Sequence, residues 1–204
     1  TIFLTSTFPK EGKTFISVNL ASTIALSDKK VLLLGLDIRN PKLEEYLDVP
    51  KVGVTNYLAS KDHKNSADFL TKVEGFSNFY VMPAGVIPPN PAELLMGKKV
   101  GELFEKLKQE FDYIIVDTAP VSLVTDTLLI SKYADAFVYV TRANYLDKRM
   151  LTLPEKLYQE KKLPNMSILI NDTDSTKGYG YGYGYGYGYG VEVEKKSFWK
   201  RFLK

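Results

Sequence analysis

The segment Thr5 to Thr14, TSTFPKEGKT, limits what this 204-residue chain can fold into more than any other stretch. It follows the short apolar run Ile2 to Leu4 and leads into the apolar-rich stretch Thr14 to Leu26, so the order reads strand, loop, helix. The Walker A pattern asks for a small residue, four of any kind, then Gly-Lys-Ser/Thr. Here Thr7 takes the first place and Gly12, Lys13 and Thr14 complete it. Such a loop wraps successive backbone N–H groups around an anionic phosphate, and the helix behind it adds its positive dipole end. Gly12 lets the backbone come close, Lys13 brings a point charge to the β and γ oxygens, and the Thr14 hydroxyl suits Mg²⁺. The flanking strand and helix favour this over the plainer reading, a lysine-bearing turn.

The rest of the chain alternates in the same way. Phe15, Ile16, Val18, Leu20, Ala21 and Ile24 give the helix a broad apolar face, and VLLLGLDI from Val31 is a run without alternation, as in a strand covered on both faces. Short helical segments are expected within 41–72, between Pro50, Gly53 and the polar KDHKN. A third strand is expected over Asn78–Met82, followed by the proline-fixed loop PAGVIPPNP, which turns into a helix at Ala92. Lys98–Phe111 reads as an amphipathic helix, DYIIVD over Asp112–Asp117 as a buried strand, and Ser122–Tyr133 as a helix. Ala136–Thr141 (strand), Asp147–Lys161 (helix) and Met166–Ile170 (strand) complete the series. Strands and helices alternating so regularly predict an α/β fold, a doubly wound, mostly parallel sheet of the P-loop NTPase type over 1–174, with a disordered tail over 175–204.

Composition removes several chemistries. Without cysteine there is no disulfide, thiol nucleophile or cysteine-based metal site, and the lone His63 leaves no histidine cluster. A formal charge of +3 is too small to argue for nucleic acid as a partner. No apolar run approaches a membrane span. Thr1 stands, without Met, inside what reads as the first strand, so an upstream part is expected.

Ligands of parallel sheets bind beyond the carboxyl ends of the strands. The residues there are the phosphate loop, Asp37 to Arg39, Pro83 to Gly85, Asp117 to Pro120, Arg142 and Asn171 to Asp174. Asp117 ends the run YIIV, the Walker B arrangement, in which a carboxylate at the tip of a buried strand holds Mg²⁺. Asp37 ends the second strand. Asp126 reads equally as a helix cap, a surface pair or a further site carboxylate.

VLLLGLDIRNP after the Gly-Lys-Thr loop, GVTNYLAS, VMPAGVIPPNPAELL, FDYIIVDTAPV, VTDTLLISKYADAFVYVTRA and a tyrosine-rich end together resemble the bacterial tyrosine kinases, over residues 1 to about 174. These are P-loop enzymes that control capsule and exopolysaccharide export. The resemblance implies an ATP-dependent tyrosine autokinase at the cytoplasmic face of the inner membrane, following a membrane chain-length regulator that is fused or separate. It implies ATP contacts from Thr7, Pro9, Lys10, Glu11, Gly12, Lys13, Thr14 and Phe15, with Arg142 after a later strand and Asn171 at a base-contacting place. Mg²⁺ would be held by Thr14, Asp37 and Asp117, and catalysis carried by Lys13, Asp37 and Asp117. Two positions depart from the family pattern: Gly35 stands where a first aspartate precedes Asp-x-Arg, and Lys10 where glycine is usual.

Residues 178–190 alternate Gly and Tyr strictly, and seven glycines cost too much chain entropy for a core segment. Two readings stand: a sticky self-associating tract, or an array of phosphate acceptors, Tyr179, Tyr181, Tyr183, Tyr185, Tyr187 and Tyr189, which the resemblance favours. As a flexible chain, Asn171 to Tyr185 spans roughly 20 Å, enough to reach its own site or a neighbour's. Family transfer runs between subunits of a homo-oligomeric ring whose forming motif lies upstream, so a monomer is expected here. Full phosphorylation would add roughly −9 to −12 charges and reverse the sign of the chain. EKKSFWKRFLK reads either as an amphipathic helix on an anionic membrane, with residues 195–204 in contact, or as a solvated basic end. From other classes, a partition or cell-division ATPase switch carries a signature lysine where Phe8 stands, and a nucleotide-binding scaffold without phosphotransfer is motivated by Gly35.

Overall fold

The computed structural model describes residues 1–60 and 65–174. His63, all six tail tyrosines and residues 195–204 lie outside the described residues. Thr1–Thr173 form one compact unit, and Asp174 begins a second.

Among the described residues seven strands make one sheet: β1 Ile2–Ser6, β2 Val31–Leu36, β3 Thr71–Lys72, β4 Phe79–Met82, β5 Tyr113–Thr118, β6 Ala136–Arg142 and β7 Met166–Asn171. Their order across the sheet is β3-β4-β2-β5-β1-β6-β7. Every pairing is parallel except β3 with β4. All six residues of β2 are buried, as its unbroken apolar run requires of a strand covered on both faces.

The alternation of a strand divides the core into two layers. Phe3, Leu32, Leu34 and Phe137 face one side, where Val100, Leu103, Phe104 and Leu107 of the helix Lys98–Glu110 meet them. Leu4, Val31, Leu33 and Val140 face the other side, with Ala21 and Ala25 of helix α1. Helix α1 spans Lys13–Ala25, and Ser17, Ala21 and Ala25 give it a buried stripe of small side chains that lets its backbone lie close to the sheet. The remaining helices are α2 Val54–Ala59, α3 Pro91–Met96, α4 Lys98–Glu110, α5 Asp126–Ile130 and α6 Thr152–Gln159. In α4 the i, i+3, i+4, i+7 spacing sets the buried face, and Phe104 stacks on Phe3 at 5.7 Å between centroids.

Three expectations are corrected. Thr71–Lys72, expected in a helical segment, is a strand, held by antiparallel pairing with Tyr80 and Val81. The helix expected over Ser122–Tyr133 is confined to α5 and a 3-10 turn at Ser131–Tyr133. Ahead of it the chain stays beside β1, where Val121 donates to the Ser6 carbonyl at 3.0 Å and Ser122 to that of Thr7 at 3.3 Å. The helix expected from Asp147 opens as a 3-10 turn over Lys148–Leu151 and becomes α-helical at Thr152. Among the described residues, no helix is long and apolar enough to cross a membrane.

Candidate nucleotide-phosphate site

The loop between β1 and α1 stands at the carboxyl edge of the sheet, and its backbone conformation explains its composition. Gly12 has φ 96°, in the left-handed region, and a Cβ there would meet the Asn171 amide nitrogen at 2.1 Å. Lys10 also has positive φ, 68°, the reason a glycine is the easier residue at that place. Glu11 is fully buried beneath the loop. Its Oε2 accepts the Phe8 N–H at 2.6 Å, while Oε1 has no partner. Burial raises its carboxyl above the usual range, against the pull of the Phe8 N–H. At the base of the loop, the Thr7 and Tyr139 hydroxyls share a hydrogen bond of 2.9 Å.

Two carboxylates face the start of α1. The Thr14 hydroxyl donates to Asp117 Oδ2 at 2.7 Å, and the Ser17 hydroxyl to Oδ1 at 3.4 Å. Asp117 is 2% exposed, and burial pushes its carboxyl up to about 6, against the Lys13 ammonium and the Thr14 hydrogen bond. Asp37 is tied to it through backbone, its N–H donating to the Asp117 carbonyl at 3.0 Å. The Asp37 carboxylate accepts the Asn40 N–H at 3.1 Å; burial raises it, and Lys13 opposes. Lys13, itself buried, is thus the cation between two partly desolvated acids.

A second tie crosses the same edge. Arg39 Nε donates to Asp126 Oδ2 at 2.7 Å and Nη2 to Oδ1 at 3.0 Å, a two-pronged pair between a half-exposed guanidinium and a buried carboxylate. This resolves the reading of Asp126 left open above: it pairs. Removing the arginine strands a buried charge, so Arg39→Leu is expected to cost about 1–3 kcal/mol. That is a fall of about 2–12 °C in melting temperature for a domain of this size. Arg39→Lys should recover only part of it, because an ammonium cannot form the fork.

These groups border a cavity of about 410 Å³ whose lining includes Lys13, Thr14, Asp37, Arg39, Tyr46 and Leu123. Of the residues expected at a site, Pro9, Lys10 and Gly12 also line it, while Asp117 lies beneath. Thr7 and Glu11 are buried in the loop's foundation. Phe15 is exposed, with its ring 6.5 Å from that of Tyr46. Arg142 and Asn171 brace the loop from its flank: Arg142 Nη1 donates to the Lys10 carbonyl at 3.3 Å and Asn171 Nδ2 to that of Glu11 at 3.0 Å. Arg142 also pairs with Asp172 at 2.9 Å. Sequence reasoning missed Tyr46, Leu123 and the partnership of Arg39 with Asp126. Asp-x-Arg was visible as a motif, but its partner lies 87 residues away.

Gly35 has a local explanation. It sits opposite Asp117 in the register of β2 and β5, and a Cβ there would meet the Ala84 nitrogen at 2.9 Å and Leu43 Cδ1 at 3.0 Å. The segment after β4 and Leu43 occupy the room that a carboxylate would need.

Among the described residues no three His, Cys, Asp or Glu side chains gather to hold a metal by themselves. The Thr14 hydroxyl and Asp117 carboxylate do fit Mg²⁺, a hard cation that takes one or two carboxylates and completes its shell with substrate phosphates and water.

A profile of the family described as AAA domain matches residues 10–152. Tyrosine-protein kinase CpsD of Streptococcus pneumoniae is 33% identical over 175 residues, covering 85% of this chain and 76% of that protein. Tyrosine-protein kinase ptk of Acinetobacter johnsonii is 34% identical over 173 residues, covering 84% of this chain. Against ptk the chain spans 23% of the relative's length. Among solved structures, the kinase domain of Escherichia coli tyrosine kinase ETK superposes with a TM-score of 0.75 at 31% identity, covering 89% of this chain and 71% of that one.

Proposed function

This chain belongs to the bacterial tyrosine-protein kinase family, and from that premise we propose that it transfers the γ-phosphoryl group of ATP to tyrosine hydroxyls, its own tail included. The observation that carries the reading is the Thr14 to Asp117 hydrogen bond near Lys13 and Asp37, at the floor of a cavity. The loop N–H groups and Lys13 hold the β and γ phosphates. Thr14 and Asp117 are the residues that would hold Mg²⁺, which neutralises charge developing on the transferring group. Asp37, whose raised proton affinity suits a base, accepts the phenolic proton as the tyrosine oxygen bonds to phosphorus. The bond to the bridging oxygen breaks and ADP leaves. The Asn40 N–H holds that carboxylate in place, so little reorganisation is needed at the moment of transfer.

The acceptors in this reading are Tyr179, Tyr181, Tyr183, Tyr185, Tyr187 and Tyr189. Their phosphorylation regulates capsular or exopolysaccharide synthesis and export at the cytoplasmic face of the inner membrane, in partnership with a chain-length regulator. Transfer between subunits of a ring belongs to the assembled protein. The test is incubation of the chain with ATP and Mg²⁺, followed by mass mapping of phosphotyrosine, with Lys13→Met as control. Label on the tail in the wild type and none in the variant is the expected result. Nucleotide binding without any label would instead make the chain a scaffold.

A further inference from the structure

The strand order gives the site two sides. β2 and β5 lie on one side of β1, and β6 and β7 on the other. Asp37 and Asp117, the carboxylates that a γ-phosphate and its cation need, both come from the first side. In an in-line transfer the acceptor approaches the γ-phosphorus from the side away from the leaving ADP. The space that the acceptor must use is therefore the part of the cavity beyond Asp37.

That part has an unusual wall. Past Asp37 and Arg39 the polar Asn40, Lys42 and Glu45 are joined by an apolar group, Tyr46, Pro120, Leu123 and Val124. Tyr46 is 46% and Leu123 59% exposed, large apolar side chains left open to solvent at the mouth of a charged cleft. Leu123 follows directly on the two residues whose backbone N–H groups bond the Ser6 and Thr7 carbonyls beside the phosphate loop. A phenol fits this arrangement on both counts: its hydroxyl reaches the polar end at Asp37 while its ring covers apolar surface. An aliphatic hydroxyl on a serine would leave the wall wet.

We infer that Tyr46, Leu123 and Val124 form the ring subsite of the acceptor tyrosine, and so select a phenol over an aliphatic alcohol. The inference rests on the kinase reading for its chemistry, yet its test is one of binding. A fluorescein-labelled GYGYGYG peptide is titrated into the full chain with ADP and Mg²⁺ present, and its Kd is read by anisotropy.

Leu123→Ala and Tyr46→Ala should each raise that Kd about fivefold or more, since each removes apolar surface that the ring covers. Leu123→Met, which keeps that surface, should stay within twofold. A GSGSGSG peptide should bind at least tenfold more weakly and be indifferent to Leu123. Affinity for a fluorescent ADP analogue should hardly change. Both alanine variants replace exposed side chains, so a thermal melt close to that of the wild type separates loss of binding from loss of fold.

Peptide affinity that ignores both alanine variants would overturn the subsite. So would a loss of nucleotide affinity in its place, which would mean that the wall holds adenine. The two readings part cleanly. Leu123-dependent binding without phosphotransfer keeps the subsite and removes the kinase, whereas phosphotransfer with Leu123-independent binding does the reverse.

Discussion

Lys13→Met is expected to leave the chain folded and to lower phosphotransfer by a factor on the order of 10³, the scale of removing a preorganised charge or donor from a site of this kind. Methionine keeps the length and apolar stem of lysine, so the packing of a residue that is only 7% exposed changes little. What goes is the cation whose field opposes protonation of both Asp37 and Asp117. The phosphates lose their partner, and the two acids retain protons that the reaction needs elsewhere. Single-turnover transfer from ATP, beside a thermal melt of the same preparation, separates this from unfolding. A rate within tenfold of the wild type would remove Lys13 from the mechanism.

Asp117→Asn should move activity and stability in opposite directions. Activity is expected to fall by a factor on the order of 10² or more, because the amide cannot ligate a hard cation as a carboxylate does. Stability in metal-free buffer should rise at neutral pH. Burial pushes the folded carboxyl up to about 6, from an ordinary aspartate value of 3.8. Between those two values the folded state keeps a proton that the unfolded state has lost, so stability falls as pH rises through that window. Above about 6 the whole penalty of the buried charge is present, and below about 3.8 it is gone. Asparagine keeps an acceptor for the Thr14 hydroxyl without the charge, so the variant gains up to about 3 kcal/mol at pH 8. The gain should shrink towards zero by pH 4. Paired melts across that range read the difference directly, and a variant no more stable than the wild type at pH 8 would show that Asp117 carries no such strain.

The parallel core was legible because burial on both faces leaves a plain trace, the unbroken VLLLGL of β2 and YIIV of β5. The phosphate loop was legible because its spacing is dictated by the ligand. What escaped was decided by partners distant in sequence. Thr71 and Lys72 have no strand pattern of their own, and Val81 and Tyr80 make them one. Ser122 reads as the start of a helix, yet the chain turns through 122–125 beside the phosphate loop and becomes α-helical only at Asp126. Arg39 found Asp126, and Gly35 found Leu43 and Ala84, through the fold alone. Arg142 and Asn171 were expected among the nucleotide contacts; in this structure both donate to carbonyls of the loop, a role that no local pattern announces.

The two ends of the sheet differ in a way that bears on how copies of this chain can join. At one margin β3 is two residues long and runs against its neighbour, a stub too short to template another strand. At the other margin, among the described residues, β7 is six residues long and shows Ile168 and Ile170 to solvent. Among the described residues, backbone addition to this sheet therefore has one long margin to use, β7, where a doubly open sheet would have two.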